Sequence, residues 1–319
     1  MQLLSPAFTY YTMYMKQIKS TLLHFCPNSF YKMYGDTKFW IRFHFFRKGL
    51  ISEMFRGLLG YEMDWENPQD LNQKINWQKI YGDTSQWPML ADKYRVREYV
   101  KERIGEEALP KLYGVWKNAD EIDFDTLPDK FVLKTNQGCG TVLLVKDKSE
   151  LNISETRKKL NEWVKMKFGY ETVEPHYLKI KPVITAEELL ENDAEFSRSL
   201  VDYKVFCLGG KPYCILVCFD RVLGKHVNLS FYDTEWNQMP DILDGHHKGE
   251  AIPVPKPDKL ENLLEYSAKL ASGHPQVRVD FYIVNNKIYF GEMTFTSQGG
   301  YMDYISRKYS LEMGKLVRM

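Results

Sequence analysis

Apolar positions recur with two different periods along this chain, and the change of period marks its organisation. Between residues 67 and 81, apolar side chains at 71, 75 and 80 together with Trp77 fall at helical spacing, behind Pro68 and an Asx-type cap. A second helical pattern opens at Ala91-Asp92-Lys93-Tyr94, runs through Val96, Tyr99, Val100 and Ile104, and stops at Gly105. On such a helix Lys93 and Arg97 are four apart on one face and read as solvated charge. From Leu109 onward strands and turns take over. Residues 131–135 and 141–145 are β-rich runs enclosing Asn136-Gln137-Gly138-Cys139-Gly140, and residues 180–184, 202–208 and 213–219 repeat the pattern. Helical periodicity returns at 154–166 and 260–271. The mixture predicts an α+β protein.

The stretch 278–300 holds the most unusual pattern. Two β-rich runs flank Asn285-Asn286, and each carries one carboxylate, Asp280 and Glu292, in otherwise apolar or aromatic company. Strand side chains alternate faces, so a two-residue loop with regular pairing sets Asp280 opposite Gly291 and sends Glu292 to the other face. A three-residue loop, or a bulge near Gly291, opposes the two acids with Cβ atoms roughly 5 Å apart. Opposed like charges suit a hard divalent cation, since Mg²⁺ is commonly held by one or two carboxylates with phosphate oxygens completing its shell. An ordinary hairpin with solvated acids is the alternative.

Two further features carry possible chemistry. Small residues at 138–140 let backbone N–H groups approach an anion, although neither a Walker loop nor G-x-G-x-x-G occurs. Lys134 stands within an apolar strand, where an ammonium needs a partner. Asp233-Thr234-Glu235 is the nearest approach to the D-x-D metal motif of a glycosyltransferase and also reads as an exposed turn. The histidines at 246, 247 and 274 read as turn or surface residues, and no Ser-His-Asp or Cys-His signature is present.

Composition narrows the class. With 319 residues, 44% hydrophobic and 27% charged, the chain can bury a large core or two smaller ones. Its net charge of +1 disfavours nucleic acid as a partner. The charge is uneven: residues 1–60 hold eight Lys and Arg against two acids, and the remainder holds 35 basic against 40 acidic residues. Aromatics interleave with these bases, as in residues 39–48, which suits either an interface with anionic lipid or a packed helical cap with solvated bases. Five cysteines without a C-x-x-C pair suggest a reducing, cytoplasmic setting, and neither a signal peptide nor a membrane span is expected.

Taken in order, N-P-Q-D-L-N-Q-K-I-N-W (67–77), A-D-K-Y-R-V-R-E-Y-V (91–100), F-V-L-K-T-N-Q-G-C-G (131–140), D-Y-K-V-F-C (202–207), D-T-E-W-N (233–237) and R-V-D-F-Y with Y-F-G-E-M-T-F (278–295) resemble the ATP-grasp superfamily. They are most similar to its TupA-like branch, from bacterial teichuronopeptide and surface-polysaccharide synthesis. The resemblance spans about residues 60–300.

It implies an ATP-grasp fold in which two α+β subdomains clasp the nucleotide, preceded by a helical N-terminal region. The divisions expected are a basic aromatic segment at 1–60, a helical linking domain at 61–115, a small subdomain with the flap at 116–185 and a large subdomain with the metal site at 186–319. The cofactors implied are ATP and Mg²⁺. Carried over by position, Lys93, Lys134, Gln137, Gly138, Gly140, Glu187 and Glu188 contact nucleotide, with one hinge acid on the ribose. Lys204 and Arg278 serve the phosphoryl transfer, and Asp280, Glu292 and Thr294 bind metal. Many ATP-grasp enzymes have Glu-x-Asn where this chain has Glu292-Met293-Thr294, so a hydroxyl stands at the place of an amide oxygen.

The activity implied is carboxylate–amine ligation through an acyl phosphate, with an amino acid or amine joined to a uronic acid of a surface polysaccharide or its precursor. A glycosyltransferase and a non-catalytic nucleotide-binding partner are the other classes. The inner face of the plasma membrane is the place where residues 1–60 would dock.

Overall fold

The computed structural model describes residues 39–222, 226–247, 249 and 252–319. The first 38 residues of the basic aromatic segment therefore lie outside the described residues. Residues 39–45 are helical and lead into α1 (Arg47–Leu59). Next come α2 (Leu71–Tyr81), the short α3 (Trp87–Leu90) and α4 (Val96–Ile104). α2 starts as its sequence indicates: the Asp70 carboxylate accepts from the Gln73 amide, and the Gln73 side chain returns the bond as a capping box. α4 starts five residues later than its apolar pattern. Asp92 Oδ1 accepts from the amides of Tyr94 and Arg95, so the chain turns there before it coils, and Lys93 stands ahead of the helix.

Two antiparallel sheets follow. β1 (Leu112–Trp116), β2 (Phe131–Thr135), β3 (Val142–Val145) and β4 (Ile184–Glu187) form the smaller, in the order β1-β4-β2-β3. The expected divisions at 115/116 and 185/186 fall inside β1 and β4, because hairpin patterning shows where a strand lies but not which sheet pairs with it. Phe131 and Leu133 of β2 and Ile184 and Ala186 of β4 pack on α5 (Ile153–Lys165) through Leu160. The alternation that buries these residues turns Lys134 and Glu187 to the opposite face.

The larger sheet comprises β5 (Asp202–Leu208), β6 (Lys211–Val222), β7 (His226–Asp233), β8 (Gln276–Val284) and β9 (Lys287–Thr294), in the order β7-β6-β5-β8-β9. Tyr203, Val205, Val277, Val279 and Phe281 face a core shared with α4 and α6 (Leu260–Ala271). The other face carries Phe206, Leu216 and Phe231 under α2 and α7 (Arg307–Leu316). The polar members of β5, β8 and β9 continue this second face.

The β8–β9 hairpin combines features of both expected registers. Its turn is two residues, with Asn285 and Asn286 both left-handed at φ 50° and 57°. Pairing is regular from Val284↔Lys287 to Phe281↔Phe290, then shifts so that Asp280 faces Glu292. Gly291 is the extra residue, a bulge that leaves Phe290 and Met293, three apart, in the same core.

Candidate active site

The bulge brings together a compact set of charges on one face of the larger sheet. Lys204 on β5 pairs with Asp280 on β8, and Arg278 with Thr294 on β9, so alternation aligns these side chains with Glu292. The Arg278 guanidinium donates to both Asp280 oxygens, from Nε at 2.6 Å and from Nη2 at 2.7 Å, the planar fork that carboxylates favour. The same Nη2 lies 3.1 Å from both Glu292 Oε1 and Thr294 Oγ1, and Thr294 donates to Glu292 Oε1 at 2.9 Å. Lys204 Nζ reaches Asp280 Oδ2 at 2.5 Å and lies 3.7 Å from Asp202, which in turn holds Arg221 at 2.6 Å.

Lys93 closes the set from outside the sheet. Its ammonium lies 3.1 Å from Glu292 Oε2 and donates to the Gly138 carbonyl at 2.7 Å, while its amide donates to the Asn136 carbonyl. One residue thus ties the glycine-rich loop to an acid of the larger sheet.

Burial and charge oppose one another here. Arg278 and Asp280 are 5% and 2% exposed, so each would be costly alone. Burial works against ionisation of Glu292, yet Lys93, Arg278 and Lys204 together hold its carboxyl well below the usual range. Burial likewise opposes the charge on Lys204, but Asp202 and Asp280 keep its ammonium above the ordinary value. Glu292 and Lys204 are therefore both ionised at neutral pH.

A second pair stands on the smaller sheet. Lys134 Nζ meets Glu187 Oε2 at 2.6 Å, and Arg97 of α4 approaches Glu187 Oε1 at 3.8 Å. Lys134 thus has the partner its strand position demanded, and Arg97 is not solvated charge. The other hinge acid, Glu188, accepts from the Lys111 amide at the strand edge. Gln137 is turned the other way from Gly138: its side-chain amide donates to the Trp163 carbonyl of α5 at 3.3 Å. Its side chain is buried against that helix, so any contact with phosphate would come from backbone.

Sequence reasoning missed Asp202, Arg97 and Ser297, whose hydroxyl lies 3.4 Å from Arg278 Nη1. Strand alternation from Lys204 could have found Asp202. No local signal marks the other two. The D-x-D candidate is an Asx turn, since Asp233 Oδ1 accepts from the amides of Glu235 and Asn237.

The donor set suits magnesium and a polyphosphate. Two carboxylates with a hydroxyl are hard oxygen ligands, and no group of three or more His, Cys, Asp or Glu able to hold a metal occurs among the described residues. The remaining ligands must then come from elsewhere, as when phosphate oxygens complete a magnesium shell. Lys93, Lys204 and Arg278 supply the matching positive charge.

No curated protein matches this chain. Among solved structures it is similar to the D-alanine–D-alanine ligase of Bacillus anthracis complexed with ATP, at 14% identity and a TM-score of 0.38, covering 65% of this chain and 54% of that one. The N5-carboxyaminoimidazole ribonucleotide synthetase of Thermus thermophilus gives 13% and 0.39, with 70% and 52% covered. The L-amino acid ligase of Bacillus licheniformis gives 12% and 0.40, with 67% and 42% covered. The chain spans about half the length of these relatives. A family model described as TupA-like ATP-grasp matches residues 73–318, nearly everything beyond the N-terminal segment. The chain belongs to the TupA-like ATP-grasp family.

Proposed function

We propose that the protein is an ATP-dependent carboxylate–amine ligase acting on a uronic acid of a cell-surface polysaccharide or its precursor, with an amino acid or amine as the second substrate. The observation that carries the chemistry is the placement of Arg278 across Asp280, Glu292 and Thr294, with Lys93 and Lys204 at its flanks. Family membership supports the substrate class.

In the first step a substrate carboxylate oxygen attacks the terminal phosphorus of ATP, the bond to the bridging oxygen breaks, and ADP leaves with its electron pair. An amine nitrogen then attacks the acyl carbon, phosphate departs with the C–O pair, and the amine proton passes to phosphate or solvent. Magnesium on Asp280, Glu292 and Thr294 would neutralise the phosphate oxygens. Arg278 holds a fixed positive charge where the transferred group accumulates negative charge, and its fork on Asp280 keeps it oriented. Lys93 pins the Gly138 carbonyl, so loop position and acid position move together. Lys134, oriented by Glu187, presents its ammonium from the smaller sheet toward the nucleotide. No nucleophilic side chain is needed.

Hydroxylamine trapping with ATP, Mg²⁺ and a panel of uronic acids and amino acids tests the reading. Wild type forms acyl hydroxamate and releases ADP only with carboxylate present, and Asp280→Asn does neither. Absence of both products with every panel member would remove the ligase assignment.

A membrane-docked location rests on a separate observation. Trp40, Ile41, Phe45 and Phe46 are 48, 42, 70 and 63% exposed, beside Arg47 and Lys48, while Phe43 and Leu50, Ile51, Met54 and Phe55 are packed. The segment is thus a packed cap on one side and an apolar, basic surface on the other, which suits the headgroup region of an anionic bilayer. Flotation with phosphatidylglycerol vesicles should recover wild type but not a Trp40→Ser, Phe45→Ser, Phe46→Ser variant. Equal recovery would eliminate the location.

A further inference from the structure

The first stretch matched to the family, residues 67–77, carries none of the site residues described above, yet the helix it begins has an unusual interior. Asn72, Gln73, Asn76, Gln78 and Lys79 of α2 are all buried. Buried amides and an ammonium persist only where their hydrogen bonds are made. Four of these bonds converge on one segment, the chain that follows β9.

Asn72 grips Met302 twice, accepting from its amide at 2.9 Å and donating to its carbonyl at 3.3 Å. Asn76 donates to the Gly300 carbonyl at 2.7 Å. Lys79 has three N–H donors and uses three acceptors: Asn76 Oδ1 at 2.9 Å, the Thr172 carbonyl at 3.1 Å and the Gly299 carbonyl. Gln78 accepts from Gln276, whose amide also donates to the Phe295 carbonyl at 2.8 Å.

The gripped segment needs holding. Gln298, Gly299 and Gly300 are consecutive left-handed residues, at φ 47°, 66° and 82°. Only Gln298 has a side chain to strain there, and a Cβ on Gly300 would lie 2.9 Å from Asn76 Nδ2 and from Ile75 Cγ2. The segment begins at the charged cluster. Thr294 bonds Glu292 and Arg278, Ser297 stands 3.4 Å from Arg278, and buried Gln298 Oε1 has no hydrogen-bond partner. Behind it, Thr296 and Thr172 both donate to buried Glu174, the charge that balances Lys79.

We infer that Lys79, with Asn72 and Asn76, is a positioning residue for the non-nucleotide substrate: it clamps the carbonyls of 299–302 so that Ser297 stands beside Arg278, with Gln298 next in the chain held by Asp303, as the wall on which a polar carboxylate substrate is seated. The inference rests on the ligase reading for the identity of that substrate. The nucleotide groups Lys93, Lys134 and Glu187 lie on other elements, and α2 contacts none of them through a hydrogen bond among the described residues. The clamp therefore acts on one substrate and not the other.

Lys79→Met combined with Glu174→Gln removes the clamp without leaving a buried charge alone, and Asn76→Ala is a milder variant should the pair fail to fold. Both are measured in the hydroxylamine assay with the panel carboxylate that wild type accepts. The expected result is a rise of at least tenfold in KM for the carboxylate, with KM for ATP within twofold of wild type. Amide hydrogen exchange in the ATP- and Mg²⁺-loaded protein should quicken at least tenfold over residues 297–303 and stay unchanged over 131–145. Equal losses for both substrates, or exchange unchanged over 297–303, would overturn the clamp. Were wild type to form no hydroxamate, the ligase reading would fall, and ATP affinity together with the exchange pattern would still decide the clamp.

Discussion

Asp280 and Glu292 oppose one another on neighbouring strands although the turn between those strands is only two residues long, because Gly291 is expelled from the ladder. Alternation would otherwise place Glu292 in the core beside Phe290 and turn Met293 out of it. The like charges are tolerated because Arg278 lies across both and Lys204 and Lys93 flank them.

Deleting Gly291 should therefore leave the two acids opposed, because the regular ladder through Phe281↔Phe290 then runs straight on to Asp280↔Glu292. A Cβ at this position would lie 3.0 Å from the Asp280 carbonyl oxygen and 3.3 Å from the Tyr282 ring, so Gly291→Ala requires shifts of a few tenths of an ångström. It should lower Tm by a few degrees, about 1 kcal/mol in stability, and retain measurable hydroxamate formation. The deletion, which carries regular pairing straight through Asp280↔Glu292 and keeps Met293 in the core, should retain hydroxamate formation within tenfold of wild type, and a hundredfold loss would show that the bulge itself shapes the site. Thermal melts and trapping assays on the two variants provide the comparison.

Asp280→Asn should lower stability as well as activity. The carboxylate is 2% exposed and takes bonds from Arg278 and Lys204, so its loss leaves two buried cations short of a partner. Urea unfolding should show a loss of about 3 kcal/mol. Carboxylate-dependent ADP release should fall at least a hundredfold even at saturating ATP.

Lys134 and Glu187 should behave as a unit. With the ammonium 2.6 Å from a carboxylate that is almost fully buried, Lys134→Met and Glu187→Gln should each raise KM for ATP about tenfold, and the double variant should lose little more than either. A double-mutant cycle on ATP affinity should give a coupling of about 1–2 kcal/mol. Strict additivity would separate the two residues.

Acid should weaken the fold in two stages. Burial, then Lys79 and Lys179, lowers the His176 pKa to about 3. Between its ordinary value near 6.5 and about 3, the unfolded chain binds a proton that the native chain refuses, so stability falls as pH falls through that window. His176→Phe should flatten this limb. The depressed carboxyl of Glu292 acts lower: its contribution is fully present above the ordinary carboxylate value and is lost as pH drops toward the native one. Glu292→Gln should lack that second fall. Urea titrations at half-unit steps from pH 8 to 3 would resolve both.

Much of this protein was legible from residues alone, because the forces involved are local. The cap at Asp70, the full extent of α6, the strands around the glycine-rich loop and the presence of two acids in one hairpin all follow from spacings within a single element. The order of the motifs pointed to the family that the matched residues 73–318 establish. What the chain could not show locally was decided by packing between distant segments. The choice between a longer turn and a bulge depended on which register buried Phe290 and Met293 together. The late start of α4 followed from Asp92 taking the next two available amides, and the membership of β1 and β4 in one sheet followed from pairing across most of a subdomain. The bond from Lys79 to the loop after β9 joins residues 220 apart, and its energy exists only once the rest of the fold has excluded water from both ends.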